Sequence, residues 1–161
     1  MKDLDGLLKH FMRDIYYAEN KILKALPKMA KKADSPKLRK AFEDHYDETK
    51  QQVANLEKAF AALDLKPRGV TCEAINGIIS EGEEIMKECE DPDARDAGMI
   101  AAAQAVEHYE INRYGTMIAW CETLGLPQVA KLLRANLSQE YAADKKLSKI
   151  AEGSLNRQAA A

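Results

Sequence analysis

Apolar residues recur along four stretches of this chain at alternating spacings of four and three, the mark of a helix that buries one face. In the first stretch the stripe is Leu4, Leu8, Phe11, Ile15, Glu19, Ile22, Leu26 and Met29, apolar throughout except at Glu19. The second reads Leu38, Ala41, His45, Glu48, Gln52, Leu56, Ala59 and Leu63. The third reads Ile100, Ala103, Glu107, Glu110, Tyr114, Met117 and Cys121. The fourth reads Val129, Leu133, Asn136, Glu140, Asp144, Leu147 and Ala151, with Leu137 and Ala143 filling its edges. Each stripe is apolar toward its ends and carries at least one carboxylate near its centre.

The breakers between these stripes are few. The first helix is expected from about Asp3 to Lys32, and Ser35-Pro36 supplies a cap and a first-turn proline for the second. That one is expected to end near Leu63, before Pro67 and Gly69. A shorter helix, roughly Cys72 to Glu88, follows; Asp91-Pro92 opens the third long helix, Gly125 closes it and Pro127 starts the fourth. Short joints make two antiparallel hairpins. The link between the hairpins is about 28 residues, and a 30-residue helix is about 45 Å long, so the link can run the full length of a bundle. Two hairpins joined by one long crossover is the ferritin-like four-helix arrangement. The expected division is a bundle over residues 1–153 and a flexible polar tail over 154–161.

Heights in the hairpins can be compared because residues equidistant from a turn lie level. Glu19 and Glu48 sit 14.5 residues either side of position 33.5, and Glu110 and Glu140 sit 15 residues either side of Gly125. Four glutamates from four helices are therefore expected in one layer, about 22 Å from the turns. Buried carboxylates crowded together cannot all stay ionised without compensation. Protons or basic partners could supply it, but the seams offer only His45 at this level and neither Lys nor Arg. A metal ion satisfies several carboxylates at once, and a hard, histidine-poor donor set suits iron or manganese better than structural zinc.

Composition changes this picture little. At 161 residues the chain supports one domain with a sizeable core. Its net charge of −2 gives no electrostatic reason to expect nucleic acid as a partner. No apolar run reaches the roughly 18–20 residues of a membrane span, so no membrane partner is expected. The charged start, Met1-Lys2-Asp3-Leu4-Asp5, lacks an apolar leader core. Three cysteines without ligand spacing, Cys72, Cys89 and Cys121, fit a reducing, cytoplasmic location.

Four segments together resemble the ferritin-like superfamily, and within it the bacterial stress-response YciF/YciE-type branch, close to the rubrerythrins. They are Asp14-Ile15-Tyr16-Tyr17-Ala18-Glu19, His45-Tyr46-Asp47-Glu48-Thr49, Val106-Glu107-His108-Tyr109-Glu110 and Glu140-Tyr141-Ala142-Ala143-Asp144. The resemblance implies a dinuclear centre, two iron ions with manganese as the alternative, in a homodimer. It implies Glu19, Glu48, Glu110 and Glu140 as primary ligands and His45, Glu107 and Asp144 as supplementary ones. In the corresponding mechanism Glu48 and Glu140 bridge the metals, Glu19 and Glu110 bind terminally, and oxygen or peroxide takes an open position. The pattern departs from the usual Glu-x-x-His of such sites. The second helix has the reverse order, His45-x-x-Glu48, and the fourth has no histidine. Without a rubredoxin-like cysteine pair, iron binding or buffering without turnover is a second expectation, and a metal-free helical scaffold a third. His10 is expected at the surface, His108 in a structural role, and Tyr17, Tyr109 and Tyr114 as packing residues with bonded hydroxyls.

Overall fold

The computed structural model describes all residues, Met1–Ala161. Four long helices, α1 (Leu4–Lys32), α2 (Pro36–Ala62), α4 (Pro92–Thr123) and α5 (Pro127–Ile150), form the bundle, and α3 (Glu73–Glu88) lies in the crossover. In cross-section α1 neighbours α2 and α4, and α5 neighbours the same two, while α3 packs on α4 and α1. This is the ferritin-like bundle of two antiparallel hairpins. No helix is long and apolar enough to cross a membrane.

The ends follow from local chemistry. Asp3 Oδ1 accepts from the Gly6 amide at 2.8 Å, Ser35 Oγ from Leu38 at 3.4 Å, and Asp91 Oδ1 from Ala94 at 2.7 Å. Pro36, Pro92 and Pro127 each occupy a first turn, where no amide hydrogen is needed. Gly125, at φ +70, ends α4 with the Leu126 amide reaching back to the Cys121 carbonyl at 2.8 Å. Pro27 lies inside α1 and deprives it of one backbone bond without ending it.

The two hairpins are tied at one end by Asp96. Its carboxylate, 1% exposed, accepts from the amides of Asp34 at 3.1 Å and Ser35 at 2.7 Å, so the start of α4 holds the turn between α1 and α2. The crossover reaches that end through α3, about 24 Å of helix at 1.5 Å per residue. Gly98 permits its close packing, since a Cβ there would stand 2.6 Å from Ile85 Cγ2. One core unites apolar side chains of all five helices, with Leu8, Met12, Ile15, Phe42, Phe60, Ile75, Met117 and Leu133 sealed from solvent or nearly so.

Residues after Gly153 depart from the expected polar tail. Ala151–Leu155 form one π-helical turn and Asn156–Gln158 a last helical turn, α6. Leu155 is buried and joins the core. The π turn is buried at both its ends, Ala151 and Leu155, against the bundle.

Candidate metal centre

Glu19, Glu107, Glu110 and Glu140 are all essentially inaccessible to solvent, and His45 is 7% exposed. One ligand atom from each of His45, Glu107, Glu110 and Glu140 falls within a group where all lie within 4.8 Å of one another. Glu19 adjoins this group, near enough to Glu110 for each carboxyl to bear on the other's charge. The helix period explains the convergence: Glu107 and Glu110 share one face of α4 at i,i+3, and α1, α2 and α5 each add one residue at the same height.

The predicted seven residues separate into two sets. His45, Glu107, Glu110, Glu140 and Glu19 meet in the core. Glu48 does not enter it: its side chain is 39% exposed and reaches His45 Nδ1 at 3.4 Å from the rim. The core position on α2 passes instead to Thr49 and Gln52, both fully buried. The stripe shifts by one residue here because a spacing of four is as helical as a spacing of three, and the neighbouring helices decide between them. Asp144 is also outside the group. It accepts from Gln104 Nε2 at 2.9 Å and faces His108 Nε2 at 3.3 Å, on a part of α5 that water reaches. His108 is otherwise exposed, which leaves it at the surface beside the bundle.

Burial dominates the electrostatics. It pushes the Glu19 carboxyl up to about 7, against the opposing pull of the Tyr114 hydroxyl and His45. Burial likewise raises Glu110 and Glu140 well above the ordinary carboxylate range, and their acidic neighbours add to it. Desolvation would lower His45, but Glu107 opposite its Nε2 at 3.1 Å outweighs that and holds the imidazolium up to about 10.

Whether these side chains suit a metal can be judged from the atoms they leave bare. Glu19 Oε2, Glu107 Oε2, both oxygens of Glu110 and Glu140 Oε2 are buried without a hydrogen-bond partner, and His45 Nε2 has only the Glu107 carboxylate opposite it. Buried polar atoms are nearly always satisfied, and orphans cost about 1–3 kcal/mol each. Here they are gathered at one place, and they are oxygens beside one imidazole nitrogen, the donors that hard divalent and trivalent ions take. The residues fit such ions.

The supporting residues were legible only in part. The Tyr114 hydroxyl donates to Glu19 Oε1, and Gln52 Nε2 donates to Glu140 Oε1 at 2.6 Å. Asn136 Nδ2 donates to the Tyr114 hydroxyl at 3.0 Å and to the Gln52 carbonyl at 3.2 Å, and Asn55 Nδ2 donates to Asn136 Oδ1 at 2.8 Å. Gln52 and Asn136 stood in the sequence stripes as polar members; the distant residues they would meet did not show there. A second cluster was signalled in the sequence by Tyr109, without the partners it meets. The Tyr109 hydroxyl donates to Asp14 Oδ2 and contacts Cys72 Sγ at 3.0 Å, while Arg113 Nε pairs with Asp14 at 3.3 Å. Tyr17 also has a partner, Asn76 Oδ1 at 3.1 Å, so all three expected tyrosine hydroxyls are bonded. Beside the acidic group a cleft between α2 and α5 opens outward past Glu48 and Lys146, with His45 and Glu107 at its inner end.

Known proteins place the chain in a family. A family described as a domain of unknown function, DUF892, matches residues 3–160. Protein YciF of Escherichia coli K12 is 38% identical over 160 residues, which is 99% of this chain and 96% of that one. The crystal structure of the E. coli stress protein YciF superposes with a TM-score of 0.93 over 97% of this chain and 99% of that one. The structure of YcfI from Rhodopseudomonas palustris, 47% identical, gives 0.90 over 91% and 94%. A Xanthomonas campestris protein at 20% identity and a TM-score of 0.72 shares the fold. The chain belongs to the DUF892 family and is a homologue of the E. coli stress protein YciF.

Proposed function

We propose that this protein binds two iron ions, with manganese as the alternative, inside the bundle, and that it serves a bacterial stress response by oxidising ferrous iron or handling oxygen or peroxide. The observation that carries the reading is the convergence of buried ligand atoms from His45, Glu107, Glu110 and Glu140 within 4.8 Å of one another, with carboxylate oxygens among them left bare. The stress role rests on the likeness to YciF. A cytoplasmic setting and a homodimer belong to the same proposal.

In this reading Glu19, Glu107, Glu110, Glu140 and His45 hold the ions. Glu48 stands at the cleft, positioned to pass a cation inward from water, and Asp144 takes no part in the inner group. When bound, the ions supply Lewis acidity and one-electron redox chemistry. The chain supplies the rest: the Tyr114 hydroxyl and the Gln52 amide each hold one oxygen of a ligand carboxylate, presenting the other. Apolar neighbours in the core exclude bulk water and strengthen every charge interaction at the site.

Elemental analysis of protein expressed with iron and manganese available tests the reading. About two metal ions per chain are expected for a dinuclear site. A content far below this, unchanged after reconstitution, overturns it. The raised carboxylates favour one other reading, a layer neutralised by protons in a metal-free scaffold, and that is the outcome such a result would establish. If metal is bound, anaerobic ferrous loading followed by oxygen or peroxide, watched by absorbance, separates turnover from iron buffering.

A further inference from the structure

A second passage reaches the acidic group from the side opposite the cleft between α2 and α5. It runs between α1, α3 and α4, walled by Ile22, Met29, Ile79, Met86, Ala102 and Val106, and its inner end is formed by His45 and Glu107. Its free volume is about 30 Å³, against roughly 300–1,000 Å³ in sites for organic ligands. It has room for a molecule the size of water or a diatomic gas. At its mouth stand Lys28 and Glu83, paired at 2.9 Å with side chains 65% and 49% exposed. An ion pair so exposed is worth at most about 1 kcal/mol and opens readily.

We propose that this apolar passage is the route by which dioxygen reaches the His45–Glu107 edge of the centre, separate from the cleft that admits cations. The inference rests on the metal-binding reading of that centre. The chemistry of the walls selects the traveller. A hydrated cation would have to shed its water among hydrocarbon side chains, at a cost of several kcal/mol or more. Hydrogen peroxide would leave its donors and acceptors unpaired there. Dioxygen has no hydrogen bonds to lose, and narrow apolar cavities stay dry and accept apolar gases such as xenon. The cleft between α2 and α5 is wider, about 240 Å³ against 30 Å³, and its wall carries Glu48 and Lys146 among apolar side chains. The two passages share Leu26, His45, Ala103 and Glu107 and so meet at one edge of the acidic group. The crossover helix roofs the apolar passage: Ile79 and Met86 come from α3.

The first test needs no metal. In metal-free protein with labelled methyl groups, dissolved dioxygen, being paramagnetic, is expected to broaden and shift the Ile22, Ile79 and Met86 signals well beyond those of Met12 and Met117. These two methionines are fully buried and do not line the passage. Equal effects at both sets overturn the proposal. The second test uses the ferrous-loaded protein and two blocking variants, Ala25→Phe and Val106→Phe, each checked for helix content and iron affinity. Ala25 and Val106 line the passage and are neither ligands nor supports of ligands. Oxidation by dioxygen is expected to slow by about tenfold, equivalent to roughly 1.4 kcal/mol of barrier, with the peroxide rate unchanged. Unslowed oxidation by dioxygen overturns the route, and equal slowing with peroxide overturns its selectivity for an apolar gas. If no iron binds at all, the metal-binding reading fails, and the methyl measurement still judges where dioxygen enters.

Discussion

Glu19 and Glu140 are each held by one oxygen and bare at the other, Glu19 through Tyr114 and Glu140 through Gln52. Partners of this type fix ligand orientation, and their loss typically costs about 10–100-fold in metal affinity. Tyr114→Phe is expected to weaken iron binding by about that factor in competition with a chelator, with helix content unchanged by circular dichroism. Unaltered affinity would show that the hydroxyl packs without orienting its carboxylate. The same residues set a pH dependence. In the metal-free protein Glu19 is raised to about 7, so between the pH at which an unfolded glutamate ionises and neutrality the folded chain keeps a proton the unfolded chain has released. Stability from this group is full below that window and declines as pH rises through it. His45, raised to about 10, acts in the same direction, its contribution waning from near-neutral pH upward. Thermal melts of metal-free protein are therefore expected at lower temperatures at pH 8 than at pH 5. A bound ion replaces those protons and reverses the trend. A melting temperature that rises with pH in the metal-free state would mean that Glu19 and His45 do not hold their protons in the folded core.

At the level of elements, Asp96 offers the cleanest separation of fold from site. Its carboxylate serves two amides of the turn between α1 and α2, and it lies about three turns from Glu107 along α4. Asp96→Ala leaves both amides without that partner, and about 2–3 kcal/mol of destabilisation follows. In a chain of this size the melting temperature should fall by roughly 5–10 °C, with metal content per folded chain unchanged. The elements were largely readable beforehand. Ser35-Pro36, Asp91-Pro92 and Gly125 act through local geometry that no distant residue revises, so the observed boundaries lie within a few residues of those expected. The choice between Glu48 and Thr49 was not local. Either residue completes a helical stripe, and only the packing of α1 and α5 against α2 turns Thr49 inward and leaves Glu48 at the rim. Asp14 with Tyr109, and Asn55 with Asn136, were beyond reach for the same reason: a single polar residue carries no mark of the distant residue it will meet. The π turn that buries Leu155 went unread because Gly153 and its polar neighbours look like an ending.

At the scale of the whole molecule, the bundle joins two hairpins around one set of ligands. The α1–α2 hairpin brings Glu19 and His45, and the α4–α5 hairpin brings Glu107, Glu110 and Glu140. Neither half carries the group alone, so affinity for the ions is affinity for the docked state. A ligand that binds only the assembled form stabilises it by RT ln(1 + [L]/Kd), about 2.7 kcal/mol at a hundredfold excess over Kd. Melting temperature should therefore climb with free ferrous ion under anaerobic conditions. An unchanged melting temperature at saturating metal would show that ions bind outside the core.

The crossover is the sole covalent link between these halves, and it runs over the outside of α1 and α4. Cutting the chain in the extended stretch before α3, which spans residues 65–72, would yield two fragments. Each would hold one hairpin and an incomplete set of donors. Their reassociation would then answer to ferrous ion, and the severed protein would behave as a complementation pair whose assembly reports the concentration of free metal.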